Sequence, residues 1–134
     1  MRIHITSVMV DDQDKAQRFY TAVLGFQTKF DIPMGGARWL TLVSSEQPDG
    51  VELLLEPVMF PPAKTYQKEL FEAGIPLTSF ETPDIQKEYE RMKGLGVVFR
   101  SEPQSMGPVK VANFEDTCGN LIQLIEKTAA ALKP

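Results

Sequence analysis

Two stretches of the chain repeat one another at an offset of 72 residues: ITSVMVDD at 5–12 lies over LTSFETPD at 77–84, and the threonine, the serine and the final aspartate coincide. LGFQTKF likewise falls against LGVVFRS. A repeat of this length is too long for a solenoid unit, and only two copies are present. The chain therefore reads as a duplicated module whose copies share one sheet or core.

The elements inside each copy follow from periodicity and punctuation. From Asp12 to Leu24, the residues Ala16, Phe19, Tyr20, Val23 and Leu24 recur at steps of three and four, the spacing of one apolar helix face. Asp11 or Asp12 can cap its free N–H groups, and Gly25 ends it. Ile3 to Val10 reads as a strand before this helix. FQTKFDI, ARWLTLVS and GVELLLE read as three strands after it, separated by PMGG and SSEQPDG. The same order then begins again, with PLTSFE as a strand and Asp84 to Leu95 as a helix turning Ile85, Tyr89, Met92 and Leu95 inward. Gly96 closes that helix, and VVFRS, VKVANFE and NLIQLIEK supply three more strands. Between the copies, EPVMFPPAKTYQKELFEAG reads as a loop and a short helix ended by Gly74, and the tail from Thr128 to Pro134 is expected to fray. The expected fold is α+β, two tandem β-α-β-β-β modules in a single domain spanning 1–134. Module one runs to about residue 57, a linker covers 58–75, and module two covers about 76–128.

Composition narrows the classes of function. With 134 residues, 43% hydrophobic and 24% charged, the chain is long enough for a sizeable core and ordinary for a soluble globular protein. Its net charge of −4 and lack of a basic run argue against a nucleic-acid partner. No apolar stretch approaches the roughly 20 residues that cross a bilayer, so no membrane role is expected. MRIHITSVMVDD lacks a signal-peptide core, and the single cysteine, Cys118, fits a reducing compartment. A cytoplasmic location is expected. Cys118 has no neighbouring His and sits in DTCGN, where it reads as a turn residue rather than a nucleophile.

VMVDDQDKAQRFYTAVLGF at 8–26, PDGVELLLEP at 48–57, YERMKGLGVVF at 89–99 and FEDTCGNLIQL at 114–124 together resemble the vicinal oxygen chelate superfamily of glyoxalases, bleomycin-resistance proteins and extradiol dioxygenases. The likeness extends from about Ile3 to Lys127. The resemblance implies that each module curls its strands into a half-barrel and that the two halves enclose a cavity. It also implies, for members that hold a metal, ligands on the first and last strands of each module. Carried over by spacing, those positions are Ile5, Leu53, Leu77 and Gln123, where GNLIEL of the family has become GNLIQL.

Three of these four side chains have no lone pair to donate, and a catalytic divalent ion of this kind needs at least three nitrogen or oxygen ligands. A slip of one residue would bring in His4 and Glu52, but it would turn every side chain of the strand to the other face and offer Pro76 and Ile122 in module two. Relatives that use two His and one Glu for iron are excluded within one chain, which has one His. No metal and no other cofactor is expected.

The expected cavity then has an apolar floor of Ile5, Leu53 and Leu77 with Ser7, Ser79 and Gln123 as convergent polar groups, the make-up of a small-molecule pocket. Trp39, in phase with Thr41 and Val43, is expected to flank it, with Phe30, Met34, Phe60 and Phe99 nearby. The expected function is metal-free binding of a small amphipathic or aromatic molecule by a homodimer. The alternative is a metal-dependent lyase or dioxygenase with a non-standard site.

Overall fold

The structure, a computed structural model, describes residues 1–128; the expected fraying of the tail beyond Thr128 lies outside the described residues. Its elements run in the order β1 (Ile5–Val10), α1 (Gln13–Arg18), β2 (Gln27–Met34), β3 (Ala37–Val43), β4 (Glu52–Pro57), α2 (Pro61–Glu72), β5 (Thr78–Glu81), α3 (Ile85–Gly94), β6 (Gln104–Met106), β7 (Val109–Glu115) and β8 (Leu121–Lys127). The β-α-β-β-β order thus occurs twice. The two modules do not share a sheet. Each closes its own four-stranded one, ordered β1-β4-β3-β2 and β5-β8-β7-β6. Contacts divide the chain into two compact units, Met1–Glu69 with Thr117–Gly119, and Leu70–Asp116 with the chain from Asn120 onward.

The helices begin where their caps dictate. The Asp12 carboxylate accepts from the Lys15 amide at 3.0 Å and the Asp84 carboxylate from the Lys87 amide at 3.1 Å, so both copies use the aspartate of the repeat. That bond to the Lys15 amide also holds the Asp12 carboxyl below its ordinary value. Gly25 and Gly96 end the helices with φ of +82° and +88°, a conformation that costs glycine nothing. Helix α1 runs on into a π-helical turn over Phe19–Val23, which lets the adjacent Phe19 and Tyr20 both be buried. Among the described residues no helix is long and apolar enough to cross a membrane.

In module one, β1 pairs in parallel with β4, setting Ile5 against Glu52, Ser7 against Leu54 and Val8 against Leu55. Antiparallel β3 sets Thr41 against Leu54 and Leu42 against Leu53. Because side chains alternate along a strand, these registers sort the sheet into two faces. Val8, Val10, Leu40, Leu42, Leu53 and Leu55 lie on one face and are all buried. Helix α1 covers that face through Ala16, Phe19 and Tyr20. Gln13 fastens it: its Nε2 donates to the carbonyls of Arg38 at 2.8 Å and Leu55 at 2.9 Å, and its Oε1 accepts from the Arg38 amide at 3.0 Å. The face away from α1 carries Ile5, Ser7, Met9, Trp39, Thr41, Val43, Glu52 and Leu54. A register shift between Thr28 and Phe30 brings Phe30, Ile32 and Met34 of the edge strand onto the same side, where all three are exposed.

Module two repeats the scheme. Thr78 pairs with Ile122, Ser79 with Gln123 and Phe80 with Leu124, while β7 sets Asn113 against Gln123 and Phe114 against Ile122. Ala112, Phe114, Ile122 and Leu124 are buried on the face that packs against Ile85, Tyr89 and Met92 of α3. Leu77, Ser79, Asn113, Leu121 and Gln123 occupy the opposite face.

The strand expected over VVFRS is reduced to one bridge between Phe99 and Phe114, and β6 forms later, at Gln104–Met106. Packing overrides propensity here. The Phe99 ring turns into the helix-side core, 4.7 Å from that of Tyr89 and 5.6 Å from that of Phe114. This also corrects the expectation that Phe99 flanks a ligand site.

Candidate functional site

The face away from the helix in each module carries most of the residues that the sequence singles out, and the registers arrange them in lateral rows. In module one the row Ser7–Leu54–Thr41 crosses β1, β4 and β3. In module two the row Ser79–Gln123–Asn113 crosses β5, β8 and β7. The two rows are equivalent under the repeat, so Leu54 stands where Gln123 stands, and Thr41 where Asn113 stands.

This equivalence corrects one expected site residue. Leu53 pairs with Thr6 and Leu42 and is buried on the helix-side face, turned away from Ile5. The position matching Gln123 is Leu54. End-matching of LLLE with QLIE misplaces it by one residue, and one residue on a strand is a change of face. The chemistry of the position is unchanged, since one leucine replaces another.

Trp39 lies on the face away from α1, opposite Ile32 and two residues from Thr41. Phe30 and Met34 are on the same side, exposed, whereas Phe60 is exposed ahead of α2 and belongs to neither sheet. Ile5 faces the same way as Glu52, its partner across β4. The Glu52 side chain is only 6% exposed, with His4 Nδ1 and Lys29 Nζ each 3.8 Å from its Oε2. Leu77 donates its amide to the Leu121 carbonyl at 2.9 Å, which places it in phase with Ser79 and Gln123. The Ser79 hydroxyl donates to Gln123 Oε1 at 3.3 Å.

Three polar residues of these faces are not evident from the motifs. Thr41 Oγ1 and Asn113 Oδ1 are buried and have no hydrogen-bond partner among the described residues. Native proteins leave few such atoms, and each needs an account. Glu52 is the third. Asn113 is the one that counting could have found: stepping outward equally on both sides of Cys118 pairs it with Gln123.

The metal implied by the resemblance does not fit these residues. Ile5, Leu54 and Leu77 offer only hydrocarbon, and Gln123 alone offers an oxygen or nitrogen. Among the described residues, no three His, Cys, Asp or Glu side chains are grouped so as to hold an ion. Cys118 is buried, and its carbonyl accepts from Gln67 Nε2 at 3.3 Å while the same nitrogen donates to the Met9 carbonyl at 2.9 Å.

Comparison with known proteins agrees with this architecture. The chain is 57% identical over 127 residues to the uncharacterized protein YurT of Bacillus subtilis (strain 168), covering 95% of this chain and all of the relative. Among solved structures, UcmS2 superposes with a TM-score of 0.81 at 30% identity, covering 95% of this chain and 98% of its own. TnmS3, an antibiotic binding protein from Streptomyces sp. CB03234, superposes with a TM-score of 0.75 at 27% identity, covering 95% and 96%. The model of the Glyoxalase/Bleomycin resistance protein/Dioxygenase superfamily matches residues 2–124. Over nearly its whole length, then, the chain belongs to the glyoxalase/bleomycin resistance protein/dioxygenase superfamily.

Proposed function

We propose that this protein binds a small amphipathic or aromatic molecule without a metal ion. The observation that carries the reading is the chemistry of the four repeat-related positions: Ile5, Leu54 and Leu77 are hydrocarbon and Gln123 is a neutral amide. Hydrocarbon at such positions removes Lewis-acid chemistry but suits apolar contact. On the module-one face Trp39 adds a planar aromatic surface and Ser7 and Thr41 add hydroxyls, and on the module-two face Ser79 adds another. TnmS3, similar in fold, is an antibiotic binding protein, which fits the same class of activity.

One observation favours the second reading, a metal-dependent lyase or dioxygenase. His4 Nδ1 lies 3.8 Å from the buried Glu52 carboxylate. Two such groups fall short of the three that a catalytic divalent ion needs. Tag-free protein incubated with Ni, Zn, Mn and Fe(II) and then desalted is expected to retain no stoichiometric metal. One equivalent per chain, lost in a Glu52→Ala variant, would establish the second reading instead.

Ligand binding is read by thermal shift across small aromatic and carbonyl compounds. A compound at a hundred times its dissociation constant is expected to stabilise the chain by about 2.7 kcal/mol. A flat melting point across every class would sink the binding reading. A homodimer in the cytoplasm belongs to the same proposal. Phe30, Ile32 and Met34, exposed together on an edge strand, are surface that a second copy can bury. Light scattering is expected to return the mass of two chains, and a single-chain mass at micromolar concentration removes that part.

A further inference from the structure

Asn113 Oδ1 is a buried acceptor without a donor, yet Gln123 stands directly across from it on the neighbouring strand. Opposed residues of an antiparallel pair have Cβ atoms about 5 Å apart, close enough for two amides to meet. Here they do not: Gln123 turns its Oε1 to the Ser79 hydroxyl at 3.3 Å and gives nothing to Asn113. An unsatisfied acceptor and a primary amide are therefore left side by side on one face.

The charges on that face are already engaged with one another. Glu81 pairs with Lys127 at 3.0 Å, and Glu115 pairs with Arg100 at 3.1 Å. Between them the row Ser79–Gln123–Asn113 is neutral.

We propose that Ser79, Gln123 and Asn113 form a neutral hydrogen-bonding rung that takes the amide edge of a planar, uncharged ligand. The ligand N–H donates to Asn113 Oδ1, and its carbonyl accepts from Gln123 Nε2. A carboxylate presents only acceptors, so it meets the Asn113 oxygen unfavourably and finds no free cation in the row. This assignment rests on the small-molecule reading above and specifies its ligand as a neutral aromatic amide or a close analogue.

The test uses the full chain, labelled with nitrogen-15, and three probes: benzamide, benzoate and toluene. Benzamide is expected to move the side-chain NH2 signals of both Asn113 and Gln123, while benzoate leaves both in place. In Gln123→Leu, benzamide is expected to bind about tenfold more weakly with toluene unaffected, the loss of one hydrogen bond in an apolar setting. Leu54 occupies the equivalent place in module one, so leucine is compatible with this row.

If benzamide binds without moving either signal, or binds Gln123→Leu as tightly as the parent, the rung is overturned and the small-molecule reading stands. If none of the three aromatics perturbs any signal, the rung falls, and the thermal-shift screen across every class decides the small-molecule reading.

Discussion

Phe114→Ala is expected to cost about 3–5 kcal/mol of unfolding free energy, the range for deleting a fully buried aromatic ring. Phe114 has no exposed surface and lies mid-sheet in module two, opposite Ile122. Its ring is 5.6 Å from that of Phe99, which in turn meets Tyr89 edge-on. Removing it takes a contact from sheet, helix and the Phe99 bridge at once, and the strands on either side are too rigidly paired to close the void. Urea denaturation followed by tryptophan fluorescence and by far-UV circular dichroism measures the change. A loss below about 1 kcal/mol would mean that the module-two core is not built around this ring.

Asp116→Ala is expected to be nearly as damaging, at about 3 kcal/mol, for a different reason. The Asp116 carboxylate is buried and accepts twice from Asn120, from its backbone amide at 3.0 Å and from its side-chain nitrogen at 2.8 Å. These bonds close the turn between β7 and β8, where Thr117 takes a φ of +66° and Gly119 one of +99°. Alanine removes the acceptor of both bonds and leaves a strained turn without its clamp. Asp116→Asn keeps the shape and one acceptor, so it should recover roughly half of the loss. Equal stability of the alanine and asparagine variants would show that size, not hydrogen bonding, decides the position.

The turn also shows why part of the candidate site was legible in the sequence. DTCGN is a local signal, and a turn sets the register of the two strands that it joins. Gln123 could thus be placed from the motif, and its partner Asn113 by counting. Ser7 and Ser79 were legible through the repeat. VVFRS was not, because its β-propensity yields to the demand of the module-two core for the Phe99 ring.

The residues alone determined the order of elements in each module, the aspartate caps and glycine ends of α1 and α3, and the scarcity of metal ligands, since these depend on local backbone chemistry and on composition. Only the tertiary structure decided between Leu53 and Leu54. Strands β1 and β4 pair in parallel across the whole of β2 and β3, so no turn fixes their register. That register is set by which leucines fit beneath α1, and with a side-chain period of two the choice of one residue decides which face each leucine serves. Thr41 follows the same rule: its sequence neighbourhood looks like ordinary strand, and only burial without a partner marks it out.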